Sequence, residues 1–472
     1  MREFAASMAI MGLIVFAPAA SAQQGAAPPA PAPLSQKQMM MVERLQANAL
    51  QSQLGLEVLE GLTTEIGPRL AGSPEEARAR DWAMAKLKAL GFENVRVEPF
   101  TIPYWRRMVE TAAITSPAPQ KLYVTALGGS GPTPPGGLEA QIVGFLDLAA
   151  LRAAPDALVK GKIVFLDERT VRTQDGSGYG IGVAKRAQCQ SIAQAKGAAA
   201  CVIRSVGTDS HRFPHAGGSA RSRDGATLPN AAVSAPDADQ IARLLARGPV
   251  KMRLEIAVET KENAPSGNVI AEIRGATRPD EVVVIGGHLD SWDLGTGALD
   301  DGAGVAIAVA AAKLIKDLPM RPARTLRIVL WGSEETGLHG GRAYAAQHKA
   351  DAAQHIVAAE SDFGAGRIWR LETDFGPKAA AYAIALQQAL APLAINPGPN
   401  QTGGGPDVGP LKEIGIPVVE LSQDGRDYFD YHHTPDDTFD KVDPAALAQN
   451  IAAYATFAYL AADSDWDFRA GR

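Results

Sequence analysis

The chain has 472 residues, which exceeds one ordinary domain and, at about 150 residues per domain, suggests roughly three units. Its net charge of −6 and its pI near 5.8 provide no basic surface suited to phosphates, so the composition argues against nucleic acid as a partner. The length leaves room for a sizeable hydrophobic core.

The first residues have the pattern of a secretory signal peptide, residues 1–22. Arg2 precedes an apolar stretch of about 16 residues, and the small residues of "ASA" end at Ala22. A helix of about 16 residues reaches about 24 Å, short of the roughly 30 Å hydrocarbon core, so an uncleaved anchor is the less favoured alternative. We predict cleavage after Ala22, export to the periplasm or the medium, and no stable membrane span afterwards. Residues 23–37, rich in Pro and Ala, are predicted to be a disordered spacer.

The next segment predicts helices followed by a strand. Residues from about 38 to 65 have helical patterns, and a longer helix follows, with Ser73 as its N-cap, Pro74 at its first position and Gly91 as its stop. The run "ENVRVEPF" then favours an early strand of a sheet. We identify no metal-binding candidate in this segment.

The pattern changes between residues 127 and 262. A Gly- and Pro-rich opening precedes the strand patterns "AQIVGF", "GKIVFL" and "AACVIR", with a helix around Cys189 before the last of them. Export would permit a disulfide between Cys189 and Cys201, but both positions also suit small buried residues, which is the interpretation we favour. His211 and His215, in a loop rich in Gly and Ser, are expected to have surface or structural roles.

The most informative stretch is "VVVIGGHLDSWDLGTGALDDGAG", residues 282–304. It opens with a short apolar run of β-branched residues, the pattern of a strand buried on both faces of a parallel sheet. The run leads into His288 and Asp290, and Asp300 follows. Ligands of such sheets bind beyond the carboxyl ends of the strands, so these side chains are candidates for binding a divalent metal.

The same layout recurs three times downstream. The run "RTLRIVLW" is followed by Glu334 and Glu335, "HIVAAES" ends before Asp362, and "IPVVELSQ" leads through a polar loop to His432 and His433. Strands that alternate with helices place their carboxyl ends together, so we expect these side chains to cluster with the first group. The Gly-rich loop at residues 400–417 is expected to line the same pocket.

These residue types favour a hydrolytic metal site. Two metal ions about 3.5 to 4 Å apart need a carboxylate between them and about two more protein ligands each, with space for a shared water. Imidazole and carboxylate ligands suit zinc and similar first-row ions, and no cysteine lies nearby, which argues against a structural zinc finger. Glu334 and Glu335 could divide two tasks, one as a ligand and the other as a proton shuttle. A lone His or Asp here would more often only order a loop, but the clustering reverses that expectation.

In combination, "GGHLDSWDLGTGALDDGAG", "RTLRIVLWGSEE", "ESDFG" and "HTPDDT" resemble the co-catalytic zinc exopeptidases of the aminopeptidase and transferrin-receptor-like family. The resemblance runs from about residue 40 almost to the end. It implies an α/β fold, a zinc-exopeptidase (phosphorylase/hydrolase-like) α/β/α sandwich with a mixed, largely parallel central sheet. It also implies a catalytic domain of residues 38–126 and 263–472, with a protease-associated domain inserted at residues 127–262 over or beside the cleft.

The resemblance also implies roles for single residues. It assigns five metal ligands, namely Asp300 between the two metals, His288 and Asp362 on one metal, and Glu335 and His433 on the other. Glu334 becomes the general base, and Asp290 would hold His288 in the correct tautomer and orientation. His433 is preferred over His432 because the histidine of the family directly precedes the Thr of an "HTxxDT"-like turn. Asp301 is expected to be structural.

The implied function is a metallopeptidase with two Zn²⁺ per chain, or other divalent first-row metals, acting on dipeptides or short peptides with free termini. A homodimer is also implied. One alternative is an aminopeptidase that acts on longer peptides, and another is a non-catalytic, receptor-like binding protein on the same fold. A third is a glutaminyl cyclase with a single zinc. The complete set of expected ligands argues against the receptor, and the "DDGAG" motif with the insert argues against the cyclase.

Overall fold

The computed structural model describes residues 32–219 and 227–472. The predicted signal peptide and residues 23–31 of the predicted spacer lie outside these ranges. The backbone N–H of Ala32 donates to the carbonyl oxygen of Ala381 at 3.0 Å, and the first helix begins at Gln36, before the predicted domain start at residue 38. Within the two ranges, no helix combines the length and the apolar composition that a membrane crossing requires.

The described residues form strands and helices that include those predicted from the sequence patterns. The strands are β1 (Glu93–Ser116), β2 (Gln120–Leu122), β3 (Val124–Ala126), β4 (Leu138–Phe145), β5 (Ile163–Leu166), β6 (Ala200–Arg204), β7 (Asn230–Val233), β8 (Lys251–Ile273), β9 (Arg278–His288), β10 (Arg324–Trp331), β11 (His355–Glu360), β12 (Ile368–Asp374), β13 (Asn396–Pro397) and β14 (Val418–Gln423). The helices are α1 (Gln36–Ala49), α2 (Leu54–Gly61), α3 (Pro74–Ala89), α4 (Leu148–Ala153), α5 (Asp156–Val159), α6 (Ser177–Ala195), α7 (Ala235–Leu245), α8 (Ala303–Lys316), α9 (His339–Gln347), α10 (Ala380–Leu390), α11 (Gly409–Glu413), α12 (Tyr428–Tyr431) and α13 (Pro444–Asp463).

The central sheet has the strand order β13-β12-β14-β11-β9-β10-β8. Strand β9 runs parallel to β10 and β11, and β11 runs parallel to β14, whereas β12 and β8 are antiparallel to their neighbours β14 and β10. The apolar run of β9 is buried on both faces: Val283 and Ile285 pack with α8 and α13, while Val282 and Val284 pack with α9 and α11. The predicted α/β/α sandwich with a mixed, largely parallel sheet is therefore confirmed.

A long antiparallel ribbon joins this sheet to a second group of strands. Strands β1 and β8 pair along nearly their whole length. Strand β8 also pairs with one strand of the central sheet and one strand of the second group. Its carboxyl-terminal residues pair with β10, and its amino-terminal residues pair with β4. Strands β4 to β7 are parallel to one another and carry their own apolar core with α4 and α6. The predicted boundary at residue 262 falls inside β8, at an irregularity in its pairing with β1 between Lys261 and Ala264.

Cys189 and Cys201 form a disulfide, so our preference for two unbridged residues was wrong. Both side chains are fully buried, as that interpretation required. Helix α6 packs directly on β6 in the smaller core, which brings the two Cα atoms to 6.3 Å, within the range of a bridge. The sequence pattern located each element but not how they pack.

Candidate active site

The carboxyl ends of three neighbouring parallel strands meet at one edge of the central sheet. His288 pairs with Trp331 across β9 and β10, and Glu360 of β11 pairs with Gly286 of β9. The loops that leave these strand ends therefore start side by side. They carry most of the predicted site residues, namely His288, Asp290, Glu334, Glu335 and Asp362.

Asp300 lies at the centre of these residues, and its two carboxylate oxygens face different partners. Its Oδ1 is 3.2 Å from Nε2 of His288, and that nitrogen lies 3.5 Å from Oδ1 of Asp362. Its Oδ2 is 3.1 Å from Nε2 of His433, and that nitrogen lies 3.0 Å from Oε2 of Glu335. The structure thus brings all five predicted metal ligands into one cluster, with one carboxylate shared between two sets of donor atoms.

The cluster is buried and unbalanced in charge. Burial raises the pKa of Glu335 well above its usual value, and the neighbouring Asp300 carboxylate adds to the effect. Burial would also raise the pKa of Asp300, but the adjacent His432 and His288 hold it well below its ordinary range. Oε1 of Glu335 is buried without a hydrogen-bond partner among the described residues. Converging, incompletely satisfied carboxylates and imidazoles are the donor set that divalent first-row cations complete.

His432 and His433 stack on each other, with ring centroids 3.5 Å apart, and both face Asp300. Nε2 of His432 lies 3.5 Å from Oδ2 of Asp300, whereas His433 lies closer to that oxygen and also reaches Glu335. Nδ1 of His433 is 3.2 Å from the carbonyl oxygen of Ala216, an arrangement that favours a proton on Nδ1 and leaves Nε2 free to bind a metal. This geometry favours His433 over His432.

The carboxylate of Asp290 does not contact His288 in the way that the sequence analysis predicted. Its carboxylate accepts the backbone N–H of Glu334 at 3.0 Å and that of Glu335 at 3.3 Å. Nδ1 of His288 instead lies 2.9 Å from the backbone carbonyl oxygen of Asp290, and 3.7 Å from the carboxylate, which is beyond hydrogen-bond range. The side chain of Asp290 therefore fixes the turn after β10, while its backbone orients His288.

Asp301 makes the contacts expected of a structural residue. Its carboxylate accepts the backbone N–H of His288 and that of Gly304, each at 2.9 Å, and ties the end of β9 to the start of α8. Gly304 is needed here because a Cβ atom would collide with the carbonyl oxygen of Ser361 after β11. The close approach of α8 to both strand ends places Asp300 at the centre of the cluster.

Asp437 holds the turn that carries Asp300, a role that the sequence analysis missed. Its Oδ1 accepts the backbone N–H of Ala298 at 2.9 Å and of Leu299 at 2.6 Å, and its Oδ2 lies 3.3 Å from the nitrogen of Asp300. Burial raises the pKa of Asp437 to about 7, with a further contribution from Asp300. Its position in the "HTPDDT" motif was the available signal.

Arg69 was also missed, since it lies in the amino-terminal segment where we identified no metal-binding candidate. Its side chain is fully buried and donates to the carbonyl oxygens of Leu289, Thr296 and Gly297 at 2.5, 2.6 and 2.8 Å. These bonds fix the loop between β9 and the turn that carries Asp300. No periodic pattern of the sequence could predict the contacts of Arg69, because its partners are more than 200 residues away.

A cavity of about 910 Å³ opens over the cluster. The lining includes Asp300, Glu334, Glu335, Asp362, His432 and His433. Gly403, Gly405 and Pro406 line it as well, as expected for the Gly-rich loop. Burial raises the pKa of Glu334 well above its usual value, and the nearby Asp362 and Glu335 carboxylates contribute in the same direction. A carboxyl group with a raised pKa can accept a proton and return it near neutral pH.

The segment predicted as an insert contributes directly to the site. His215 is buried, with Nδ1 2.8 Å from the carbonyl oxygen of His432 and Nε2 2.6 Å from Oδ1 of Asp209, while His211 is exposed. The backbone N–H of Ala216 donates to the carbonyl oxygen of His433 at 2.8 Å. These contacts give His215 a structural role and connect this segment to the loop that carries His432 and His433.

Comparisons with known proteins agree with this geometry. Residues 268–458 match Peptidase family M28. The chain is 36% identical over 409 residues to carboxypeptidase Q from Bos taurus, covering 86% of this chain and 85% of that protein. It is 35% identical over 411 residues to carboxypeptidase Q from Homo sapiens, covering 87% and 85%.

Solved structures share the fold. The crystal structure of a peptidase M28 precursor from Shewanella amazonensis SB2B is 49% identical, with a TM-score of 0.90 and coverage of 92% of this chain and 98% of that one. An aminopeptidase from Aneurinibacillus sp. strain AM-1 has a TM-score of 0.64 at 22% identity, with coverage of 91% of this chain and 97% of that one. At this identity the match shows a common fold and nothing further. The chain therefore belongs to peptidase family M28 and is a metallopeptidase.

Proposed function

We propose that this metallopeptidase is an exported two-zinc exopeptidase that hydrolyses dipeptides or short peptides with free termini. The observation that carries the proposal is the division of Asp300, whose two oxygens face two separate pairs of ligand-type side chains. One carboxylate between two such pairs is the arrangement that a co-catalytic metal pair requires.

The two pairs supply the two metal sites. His288 and Asp362 would hold one zinc ion, Glu335 and His433 would hold the other, and Asp300 would contribute to both. Imidazole and carboxylate donors without a thiolate are typical of catalytic zinc. Zinc ions bound here would lower the pKa of water and polarise the peptide carbonyl.

Glu334 would act as the general base. It would take the proton from the attacking water and return it to the nitrogen of the leaving amine, and its raised pKa supports both transfers. Asp290 would act as a positioning residue, because its carboxylate binds the backbone N–H groups of Glu334 and Glu335. This replaces the expected role of its side chain in orienting His288.

The remaining features support an exported enzyme that acts on small substrates. A cavity of about 910 Å³ is of the size that encloses a small ligand rather than a folded protein. The Cys189–Cys201 disulfide suits an oxidising compartment, which agrees with the predicted signal peptide. We assign residues 127–262 as a protease-associated domain beside the cleft, supported by the contacts of His215 and Ala216 with the histidine loop. A homodimer remains a prediction.

The first experiment is to measure the metal content of the purified protein by mass spectrometry, and to follow hydrolysis of unblocked, amino-blocked and carboxyl-blocked dipeptides. We expect about two zinc ions per chain and cleavage of unblocked dipeptides that a chelator abolishes and zinc restores. Protein with stoichiometric zinc that cleaves no unblocked dipeptide in a broad panel would refute the proposal. Protein without metal or activity would favour the receptor-like alternative.

A further inference from the structure

Arg186 of helix α6 reaches the metal-ligand cluster from the insert and lines the cavity. It is 8% exposed. Its Nη2 donates to the hydroxyl of Tyr179 at 2.8 Å, its Nη1 lies 3.3 Å from Nδ1 of His433, and its buried Nε has no hydrogen-bond partner within residues 32–219 and 227–472. Among the described residues, no carboxylate forms an ion pair with this guanidinium.

The contact with His433 does not satisfy Arg186 when the metal site is assembled. If Nε2 of His433 binds a metal, its Nδ1 carries the proton and donates to the carbonyl oxygen of Ala216, 3.2 Å away. A protonated Nδ1 cannot accept a hydrogen bond from Arg186. Two nitrogens of the guanidinium then have no acceptor among the described residues, and an anion bound there would supply both the acceptors and the compensating charge.

The surroundings leave space for such an anion. The loop beside the guanidinium consists of small residues, and a Cβ atom at Gly217 would collide with it. Gly128, Gly129 and Gly218 continue the same wall of the cavity. The other arginine of the cavity lining, Arg370, is instead paired with Glu372, so Arg186 is the lining arginine available for a ligand within the described part of the chain.

We infer that Arg186 binds the free α-carboxylate of the C-terminal residue of the substrate and thereby directs cleavage to the last peptide bond. The inference rests on the proposed exopeptidase function and specifies its direction. The planar guanidinium matches a carboxylate through two parallel hydrogen bonds. Because Arg186 contacts the imidazole of a metal ligand, a carboxylate held there lies about one residue from the reacting carbonyl. That spacing fits a leaving group of a single amino acid.

The test compares a dipeptide with its C-terminal amide as substrates of the zinc-loaded, full-length enzyme. In the wild type, kcat/KM should favour the free acid by about 10- to 100-fold, the size expected for a hydrogen bond to a charged group. Arg186→Met should reduce this ratio to about one by lowering the rate on the acid, with the amide rate and the zinc content retained. Arg186→Lys should give an intermediate ratio because it keeps the charge but not the two parallel N–H donors of the guanidinium. Arg152→Met, an exposed arginine on α4, is the matched control and should keep the wild-type ratio.

Each result is decisive. An unchanged ratio in Arg186→Met, equal loss on both substrates, or loss of zinc would overturn the inference while the wild type still cleaves dipeptides. A wild type that contains zinc but cleaves no free dipeptide would instead refute the proposed function. If the variants do not fold, wild-type inhibition by a product amino acid and by its amide gives a second test. The acid should inhibit about 10-fold more strongly, and equal inhibition would overturn the inference.

Discussion

The two halves of the proposed metal-ligand cluster are held in different ways. His288 ends a strand, and Glu335 and Asp362 follow strands, that are paired on both sides and buried on both faces, so the central sheet fixes their positions. His433 lies in a loop after a helix of four residues, and its backbone has a φ of 63°, which is unfavourable for a residue other than glycine. Its loop is contacted by His215 and Ala216, which belong to the segment predicted as an insert.

This difference suggests that the proposed metal site depends on two parts of the chain. The strand-end half follows from the central sheet, whereas the histidine half is also in contact with residues of the segment 127–262. Asp300 is the group that belongs to both halves, because each of its oxygens faces one of them. Substitutions in one half or the other should therefore separate metal binding at the two positions.

The largest effect should come from Asp300→Asn, which removes the charge shared by both halves. We expect zinc content to fall well below two per chain. Turnover should decrease by at least about 10³-fold, since bound metal supplies several kcal/mol of transition-state stabilisation. Mass spectrometry of the metal and dipeptide hydrolysis are the measurements. A variant that keeps two zinc ions would show that Asp300 does not connect the halves.

Glu334→Gln should decrease kcat by about 10²- to 10⁴-fold while both metals stay bound, because a general base is lost and no ligand is changed. The measurement is kcat together with zinc content, compared directly with Asp300→Asn. Metal loss of equal size in the two variants would refute the separate assignment of base and ligand. Retained activity would exclude Glu334 as the base.

His215→Ala should weaken only the histidine half, because His215 contacts the carbonyl oxygen of His432. We expect the affinity of one zinc ion to fall by about 10- to 100-fold, the usual size for a residue that orients a ligand, with the other ion unaffected. Zinc titration against a chromogenic chelator measures both affinities. His215→Asn, which can keep a donor near Nδ1, should lose less, and His211→Ala, at an exposed position, should match the wild type. Equal weakening of both metals would contradict the division into halves.

The smallest effect at neutral pH should come from His355, which tests the stability of the strand-end half. His355 begins β11, and burial lowers its pKa to about 4, with Nε2 2.9 Å from the hydroxyl of Tyr344. A folded pKa below the unfolded value of 6.5 means that its stability contribution is present above pH 6.5 and is lost as the pH falls towards 4. The loss should reach about 3 kcal/mol.

The measurement for His355 is denaturant unfolding of the zinc-loaded protein at several pH values between 7 and 4. His355→Gln should show a flatter dependence of the free energy of unfolding on pH than the wild type, and His211→Gln should retain the wild-type slope. Identical slopes for His355→Gln and the wild type would show that this buried imidazole does not control acid sensitivity.

Much of the site could be predicted because its strand-end half is local in sequence. Apolar runs such as Val282 to Ile285 indicate strands buried on both faces, and the polar residues directly after them must lie at the sheet edge. The exception was Asp290, where sequence spacing could not distinguish a contact of the side chain from one of the backbone. The bonds show that the backbone carbonyl contacts His288 and the carboxylate contacts the turn after β10.

The amino-acid sequence by itself determined the order of strands and helices, the strand ends that carry acids and histidines, and the resemblance to zinc exopeptidases. Only the tertiary structure decided the Cys189–Cys201 disulfide and the contacts of Arg69, Asp437 and Arg186. The physical reason is that these roles are contacts between segments distant in the sequence or between packed elements. Hydrophobic periodicity records which face of an element is buried, but it does not record which distant element covers that face.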